Sequence, residues 1–189
     1  MMGWAIGGGV LLAIAVALVA IYNRLVTLWQ RIKNAWAQIE VQLKRRYDLI
    51  PNLVSTVKGY AAHEKETFEQ VTEARNRAIS AKNIEEQAGA ESTLTGALRQ
   101  LFALAENYPE LKANTNFMQL QEELTNTESK IAFSRPFYND TALKFNTAIQ
   151  RFPTVMVAGI FGFYQEVYFN LDDEAEARRA VRVEFQVKR

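Results

Sequence analysis

The chain has 189 residues, with 22 basic and 21 acidic side chains, a formal net charge of +1, and no cysteine. This near-neutral balance gives no reason to expect a nucleic-acid partner. Without cysteine there is no disulfide, no thiolate metal site and no cysteine nucleophile.

The first 22 residues carry no charged side chain, and the first charge along the chain is Arg24. A hydrocarbon core of about 30 Å is spanned by about 20 helical apolar residues, which this run supplies. Trp4 and Tyr22 stand at its two ends, where interfacial aromatic residues are frequent. The alternative, a cleaved signal peptide, has basic residues before its apolar core, and this run has none there. The sequence therefore predicts an uncleaved membrane anchor over residues 1–22.

Six basic residues and one acidic residue follow the anchor between positions 24 and 46. Because basic residues tend to stay on the cytoplasmic side, we expect the N-terminus outside and the bulk of the chain in the cytoplasm. This arrangement describes a single-pass protein of the cell inner membrane. The same basic cluster suits anionic lipid headgroups as a partner.

A heptad pattern starts at Trp29 and predicts a long helix that packs along partner helices. Pro51 falls at an outward position of this pattern and leaves its phase unchanged, so we expect a kink in which the carbonyl of Tyr47 loses its hydrogen bond. We expect this helix to run from Trp4 to about Ala81, over about 115 Å. The residues of the pattern are Trp29, Ile32, Trp36, Ile39, Leu43, Ile50, Leu53, Val57 and Tyr60.

The polar stretch Ser80 to Ser92 then predicts a connection, followed by a second helix that ends or bends at Tyr108-Pro109. A third pattern of alternating three- and four-residue spacing runs from Phe117 to Phe152 and is closed by Pro153. The apolar segment Val155 to Phe163 is too short to span a bilayer. It is either a fourth helix of the bundle or an interfacial helix, and the sequence leaves both open.

Together these segments predict an all-α fold in which a single N-terminal transmembrane helix leads into an elongated antiparallel helical bundle. We expect an anchor at 1–22, a cytoplasmic bundle at 23–170 and a charged tail at 171–189. The tail ends in the alternation of a half-buried strand. Such a strand is either disordered or pairs with the tail of a neighbouring subunit. Its inward positions are Val181, Val183, Phe185 and Val187.

Several blocks resemble the LemA family of bacterial membrane proteins, above all Arg-Arg-Tyr-Asp-Leu-Ile-Pro-Asn at 45–52, Glu-Asn-Tyr-Pro-Glu-Leu at 106–111 and Arg-Phe-Pro at 151–153. The resemblance implies a single N-terminal span, an external N-terminus, a cytoplasmic helical domain and no established reaction. Pro136 and the tail beyond Leu171 depart from the family pattern. The family-motif positions are Arg45, Asp48, Pro51, Asn52, Tyr60, Tyr108, Pro109, Phe117, Asn146 and Pro153.

Polar residues also fall on or beside the predicted packing faces. The heptad count places Arg46 and Glu64 on the first face, where a buried guanidinium needs a carboxylate close by. Our hypothesis is an inter-helix polar network that fixes helix register. The alternative is that Arg46 extends to solvent along its stem. The proposed members are Arg46, Glu64, Glu128, Arg135, Tyr138 and Asn139.

No catalytic, metal or cofactor site emerges, and the single histidine, His63, is expected to flank the packing face. The sequence favours a non-enzymatic, membrane-anchored scaffold that self-associates and organises membrane or membrane-protein partners. The alternative is a membrane-shaping protein that acts on lipid directly. Val41, Leu49 and Val54 lie outside the heptad positions and are candidates for homo-oligomer contacts. They could equally be covered by other helices of the same chain.

Overall fold

The computed structural model describes residues 2–171, with side chains from residue 6 onward, and these residues form six helices without a strand. The all-α prediction is therefore confirmed for the described part of the chain. The helices are α1 (Met2–Lys58), α2 (Lys65–Ser80), α3 (Ile84–Ala105), α4 (Pro109–Lys112), α5 (Thr115–Gln150) and α6 (Thr154–Phe161).

Helix α1 contains the apolar run that the sequence predicts to be a membrane anchor. Within residues 2–171 it is the one helix that is long and apolar enough to cross a bilayer, and none of its apolar window is buried inside the protein. The helix continues through Tyr22 without interruption as far as Lys58. A transmembrane helix that leads directly into the helical domain was predicted and is confirmed by length and composition. The side chain of Trp4 lies outside the described ones, so its interfacial role stays a prediction.

The chain divides into two compact units, and the first comprises residues 2–46 and 125–168. Here α5 runs antiparallel to α1, since Trp36 contacts Tyr138 while Tyr22, nearer the anchor, contacts Phe163, which in turn contacts Phe145. Both helices bury their periodic apolar faces, as the heptad reading predicts. Buried in this unit are Leu25, Ile32, Ala35, Ile39, Leu43, Ile131, Tyr138, Ala142, Phe145, Ile149, Val157 and Ala158.

Helix α6 ends at Gly162, whose φ of 71° and ψ of 34° lie in the left-handed region. The amide of Phe163 donates to the carbonyl of Ala158 at 3.0 Å, which closes the helix end. Glycine takes this conformation without the steric cost that a side chain adds. The chain then continues in non-helical form through residues 163–171.

The second unit comprises residues 47–124 and 169–171 among those described. Helices α2 and α3 pack against each other over most of their length. The C-terminal part of α1 joins them, since Arg75 of α2 and Gln87 of α3 both bind Tyr47. Buried here are Tyr47, Ile50, Leu53, Val54, Val57, Phe68, Val71, Ala74, Ala78, Leu94, Leu98, Leu101, Leu111 and Phe117.

The expectation of one helix from Trp4 to about Ala81 is wrong. Helix α1 stops at Lys58, and a turn over residues 59–64 precedes α2. Gly59 begins this turn, and glycine lowers helix stability by about 1 kcal/mol relative to alanine. The amides of Tyr60 and Ala61 then both donate to the carbonyl of Val57. With 57 residues, α1 is about 85 Å long.

The connection expected from Ser80 to Ser92 is also too long, because α3 already begins at Ile84. Asn83 caps this helix by accepting the amide of Glu86 at 2.8 Å. The Glu86 carboxylate in turn accepts the amide of Lys82 at 2.9 Å. These two hydrogen bonds satisfy backbone amides at and just before the start of α3. They stabilise the start of the helix within a stretch whose polar sequence shows no apolar periodicity.

The later boundaries follow the sequence closely. Helix α3 ends before Tyr108, and Pro109 opens the short helix α4 at its first position, where a proline needs no amide donor. Helix α5 spans Thr115–Gln150 and includes Pro136, as α1 includes Pro51, so neither proline breaks its helix. The Phe152–Pro153 peptide bond is cis and lies between α5 and α6.

Candidate functional site

In the first unit, three side chains hold the segment that follows α6. The Asn146 side chain makes two hydrogen bonds of 2.8 Å with the backbone of Glu166, donating to its carbonyl and accepting its amide. The indole of Trp29 donates to the Glu166 carboxylate at 3.2 Å, and the Tyr138 hydroxyl donates to the carbonyl of Val167 at 2.7 Å. Asn146 and Tyr138, singled out from the sequence, therefore fix a non-helical segment against α5, and Trp29 fixes it against α1.

Tyr138 lies at the centre of this arrangement and is fully buried. Its ring meets that of Trp36 edge-on, with centroids 5.5 Å apart. Burial raises the pKa of the Tyr138 phenol to about 12, and the nearby Glu166 carboxylate adds to the rise. The hydroxyl is therefore a neutral hydrogen-bond donor at physiological pH.

An open apolar groove of about 440 Å³ lies between α1 and α5 of the same unit. Phe133 is 85% exposed at its edge, and Val41 is 63% exposed across from it. Phe137, one helical turn after Phe133, is also exposed. The groove is lined by Gln38, Val41, Gln42, Ser129, Lys130, Phe133 and Ser134. Grouped exposed apolar side chains of this kind mark interaction surfaces.

A second exposed apolar surface belongs to α6. Val157 and Ala158 face inward and are buried, while the remaining large side chains of the helix stay exposed. The ring of Phe161 lies 4.7 Å from that of Tyr22, centroid to centroid. We call this surface the α6 face. It consists of Phe152, Val155, Met156, Ile160, Phe161 and Tyr164.

The second unit contains a buried polar cluster around Glu91, which is 1% exposed. Its carboxylate accepts hydrogen bonds from the Tyr47 hydroxyl and, at 3.1 Å, from the Gln87 amide. Gln87 also donates to the Tyr47 oxygen at 2.7 Å and to the carbonyl of Ala78 at 3.2 Å. The cluster ties α1, α2 and α3 together, because Tyr47 belongs to α1, Ala78 to α2, and Gln87 and Glu91 to α3.

The sequence reasoning missed Glu91. It lies one turn before Leu94 on the face that continues through Leu98 and Leu101. Extending that repeat backwards would have placed Glu91 in the core. The polar composition of residues 80–92 hid this signal.

The predicted polar network stays a prediction as a whole. Arg46 is 3% exposed, so its guanidinium does not extend to solvent, and the alternative of an outward-reaching stem is wrong. Glu64 is half-buried and accepts from the Tyr108 hydroxyl at 3.4 Å. Glu128 is exposed, whereas Arg135 and Asn139 are half-buried.

Family-motif positions divide between contacts and surface. Tyr60 accepts a hydrogen bond from Asn114 at 3.0 Å, and the same Asn114 side chain accepts the amide of Phe117, which is buried. These bonds fasten the turn after α1 to the start of α5. The exposed motif positions are Arg45, Asp48, Pro51, Asn52, Tyr60, Pro109 and Pro153.

The candidates for oligomer contacts also differ among themselves. Val41 is exposed, Leu49 is half-buried, and Val54 is 8% exposed. Val54 is covered by its own chain, as the competing explanation held, so it is not available for oligomer contacts. The tail candidates Val181, Val183, Phe185 and Val187 lie outside the described residues. Neither Phe133 nor Phe137 was recognised from the sequence.

Among the described residues no group of three or more histidine, aspartate or glutamate side chains is placed to hold a metal ion. His63 lies exposed in the turn between α1 and α2.

Comparison with known proteins gives a consistent set of relatives. The sequence model of the LemA family matches residues 35–185, so the expectation that the tail departs from the family pattern directly beyond Leu171 is wrong. Magnetosome protein MamQ of Magnetospirillum gryphiswaldense is 27% identical over 186 residues, which cover 85% of this chain and 68% of the relative. Magnetosome protein MamQ 1 of Paramagnetospirillum magneticum is 25% identical over 185 residues, and the match covers 84% of this chain and 68% of the relative. Protein LemA of Metamycoplasma hominis is 28% identical over 140 residues, and the match covers 71% of this chain and 62% of the relative. None of these names is that of an enzyme.

Proposed function

Because this chain belongs to the LemA family, we propose that it is a non-enzymatic, membrane-anchored helical scaffold that self-associates and organises membrane or membrane-protein partners. The apolar part of α1 supports membrane association. The basic excess after Tyr22 favours a cell inner membrane location with the N-terminus outside and the bulk of the chain cytoplasmic. Arg24, Arg31 and Lys33 are exposed next to the anchor, where they can meet anionic headgroups.

The observation that carries self-association is the uncovered groove between α1 and α5. Fully burying a phenylalanine or valine side chain contributes about 1.5–3 kcal/mol each, so Val41, Phe133 and Phe137 together offer a substantial driving force. In a two-fold dimer the same patch is used on both subunits, which doubles that contribution. A shared membrane plane also brings subunits together at high local concentration.

The test is the oligomeric state of the full-length protein in mild detergent and in bilayer nanodiscs. Wild-type protein should form a defined oligomer by mass photometry. Phe133→Glu should shift it toward the monomer, because a carboxylate in the joined surface would be desolvated without a partner.

Leu143→Glu is the matched control. Leu143 is 53% exposed on the same helix but does not line the groove, so this variant should assemble like the wild type. A wild-type protein that stays monomeric at every concentration in both environments would contradict self-association. Equal assembly of Phe133→Glu and wild type would place the contact elsewhere.

A second candidate function, membrane shaping, is favoured by the exposed α6 face beside Tyr22. An exposed apolar surface at the membrane can insert into one leaflet and bend it. Purified full-length protein reconstituted into liposomes separates the two functions under electron microscopy. Tubules whose number increases with the density of protein in the membrane would support membrane shaping. Liposomes that stay spherical would contradict membrane shaping and favour the scaffold function.

A further inference from the structure

Helix α6 lies at the boundary of the membrane anchor. Tyr22 is the last aromatic residue before the first charged side chain, Arg24, and its ring contacts those of Phe161 and Phe163 at centroid distances of 4.7 and 6.0 Å. The C-terminal end of α6 therefore sits where α1 leaves the hydrocarbon region, at the depth that interfacial aromatic residues prefer.

The segment after α6 agrees with this position. From Tyr22 to Trp29, α1 advances about 10 Å. A non-helical segment of the length from Phe163 to Glu166 can reach about the same distance. Because Trp29 binds Glu166, the segment runs alongside α1 and away from the anchor. Helix α6 thus remains at the anchor end of the unit.

The composition of α6 fits lipid better than water. No charged residue occurs between Arg151 and Glu166. Ile160 is 76% exposed, and Met156, one turn earlier on the same face, is 61% exposed, whereas Val157 and Ala158 pack inward. Leaving such a face in water forfeits about 25 cal/mol for every Å² of apolar surface that lipid could cover.

The geometry points to α6 as a second membrane contact, in which the α6 face inserts shallowly into the interface of the same leaflet from which α1 emerges. The occupant of this face is lipid, because the face is continuous with the anchor through Tyr22 and Phe161. The uncovered anchor surface on α1 extends this apolar area. The contact would fix the orientation of the first unit relative to the membrane. This inference rests on the proposed membrane anchoring of α1.

The absence of cysteine makes this inference directly testable by site-directed spin labelling. Single-cysteine variants Met156→Cys and Ile160→Cys of the full-length protein would be labelled and reconstituted into bilayers. Power saturation then compares collision with oxygen, which concentrates in lipid, and with a water-soluble nickel chelate. Val16→Cys, inside the anchor, serves as the lipid reference. Asn126→Cys, at an exposed position of α5, serves as the water reference.

Both α6 labels should show an oxygen-to-nickel ratio several-fold above that at position 126, and nearer to that at position 16. An α6 ratio equal to that at position 126, with position 16 still in lipid, would overturn the inference and leave the anchor intact. Low accessibility to both reagents would overturn it too, because protein would then cover the face. A water-like ratio at position 16 would instead refute membrane anchoring itself.

Discussion

The Nε–H of Arg75 donates to the backbone carbonyl of Tyr47 at a distance of 2.7 Å. This is the carbonyl that Pro51 leaves without its helical donor, because proline has no amide hydrogen at the position four residues later. A side chain from α2 thus replaces the missing backbone hydrogen bond of α1. The proline and the arginine form one structural feature of the second unit, in which a defect in one helix becomes an attachment point for another.

This relationship predicts that Arg75 and Pro51 are energetically coupled. Arg75→Met should lower the free energy of unfolding by about 1.5–3 kcal/mol, because it removes a charged donor from the carbonyl that has lost its helical donor to Pro51. In a Pro51→Ala background the alanine amide can bind Tyr47, so the same change should cost about 1 kcal/mol less. Urea unfolding of the full-length protein in detergent, followed by circular dichroism, measures all four variants.

Arg77→Met is the control for this cycle. Arg77 lies on the same helix and pairs at 2.7 Å with Glu73, but both side chains are about two-thirds exposed. Surface pairs of this kind contribute about 0.3–0.5 kcal/mol, so the loss should be small in both backgrounds. An equal cost of Arg75→Met with and without Pro51 would show that the two residues are independent.

A second prediction concerns the buried cluster at Glu91. Tyr47→Phe removes the hydroxyl that lies between Gln87 and Glu91 and leaves both with fewer partners in a closed core. The free energy of unfolding should fall by about 1–3 kcal/mol. Tyr164→Phe, at a tyrosine that is 82% exposed, should change it by less than about 0.5 kcal/mol. Urea unfolding measures both changes in the free energy of unfolding. Similar changes for the two variants would mean that the cluster does not stabilise the fold.

The sequence predicted what depends on local periodicity. Ile39, Leu43 and Ile50 are buried as the heptad reading requires, and Pro51 stays within its helix, because both features follow from backbone geometry and from burial of one continuous face. It missed Glu91, whose burial depends on partners from two other helices. A carboxylate in a polar stretch has the sequence signature of a solvated one. Such residues become visible only when tertiary hydrogen bonds are known.

The same limit applies to the segment after α6. Asn146 was singled out by its motif, but its role required a backbone partner twenty residues away that no periodicity indicates. The groove at Phe133 and the exposed side chain of Phe137 were missed for a related reason. Their exposure depends on which faces the other helices leave uncovered, and that is a property of the assembled unit.

A third prediction follows from the Asn146 contacts. Asn146→Ala removes both hydrogen bonds to the backbone of Glu166, so the segment after α6 should open more often. Hydrogen exchange read by mass spectrometry should show faster exchange in peptides covering residues 163–168, with the α2 and α3 peptides unchanged. Asn126→Ala, at an exposed asparagine on the same helix, should leave the pattern as in the wild type. Unaltered exchange in Asn146→Ala would mean that other contacts suffice to hold the segment.

The last prediction concerns alkaline pH. The pKa of Tyr138 is raised to about 12 in the folded protein, mainly by burial and further by Glu166, whereas an unfolded tyrosine has a pKa of about 10. Between these two values the unfolded chain releases a proton that the folded chain keeps, so the unfolded state binds fewer protons and stability falls as pH rises. Below about pH 10 both states are protonated, and the contribution is fully present.

Within that window the wild type should lose up to about 1.4 kcal/mol per pH unit more than Tyr138→Phe, which has no phenol to ionise. Urea unfolding at several pH values between 9 and 12 measures the difference, and tyrosinate absorbance identifies one phenol that titrates late in the folded protein. The variant should start from a lower stability at neutral pH, because the hydrogen bond to the Val167 carbonyl is lost. Its curve should then approach that of the wild type as pH rises. Parallel curves over the whole range would show that Tyr138 ionises as readily in the folded chain as in the unfolded one.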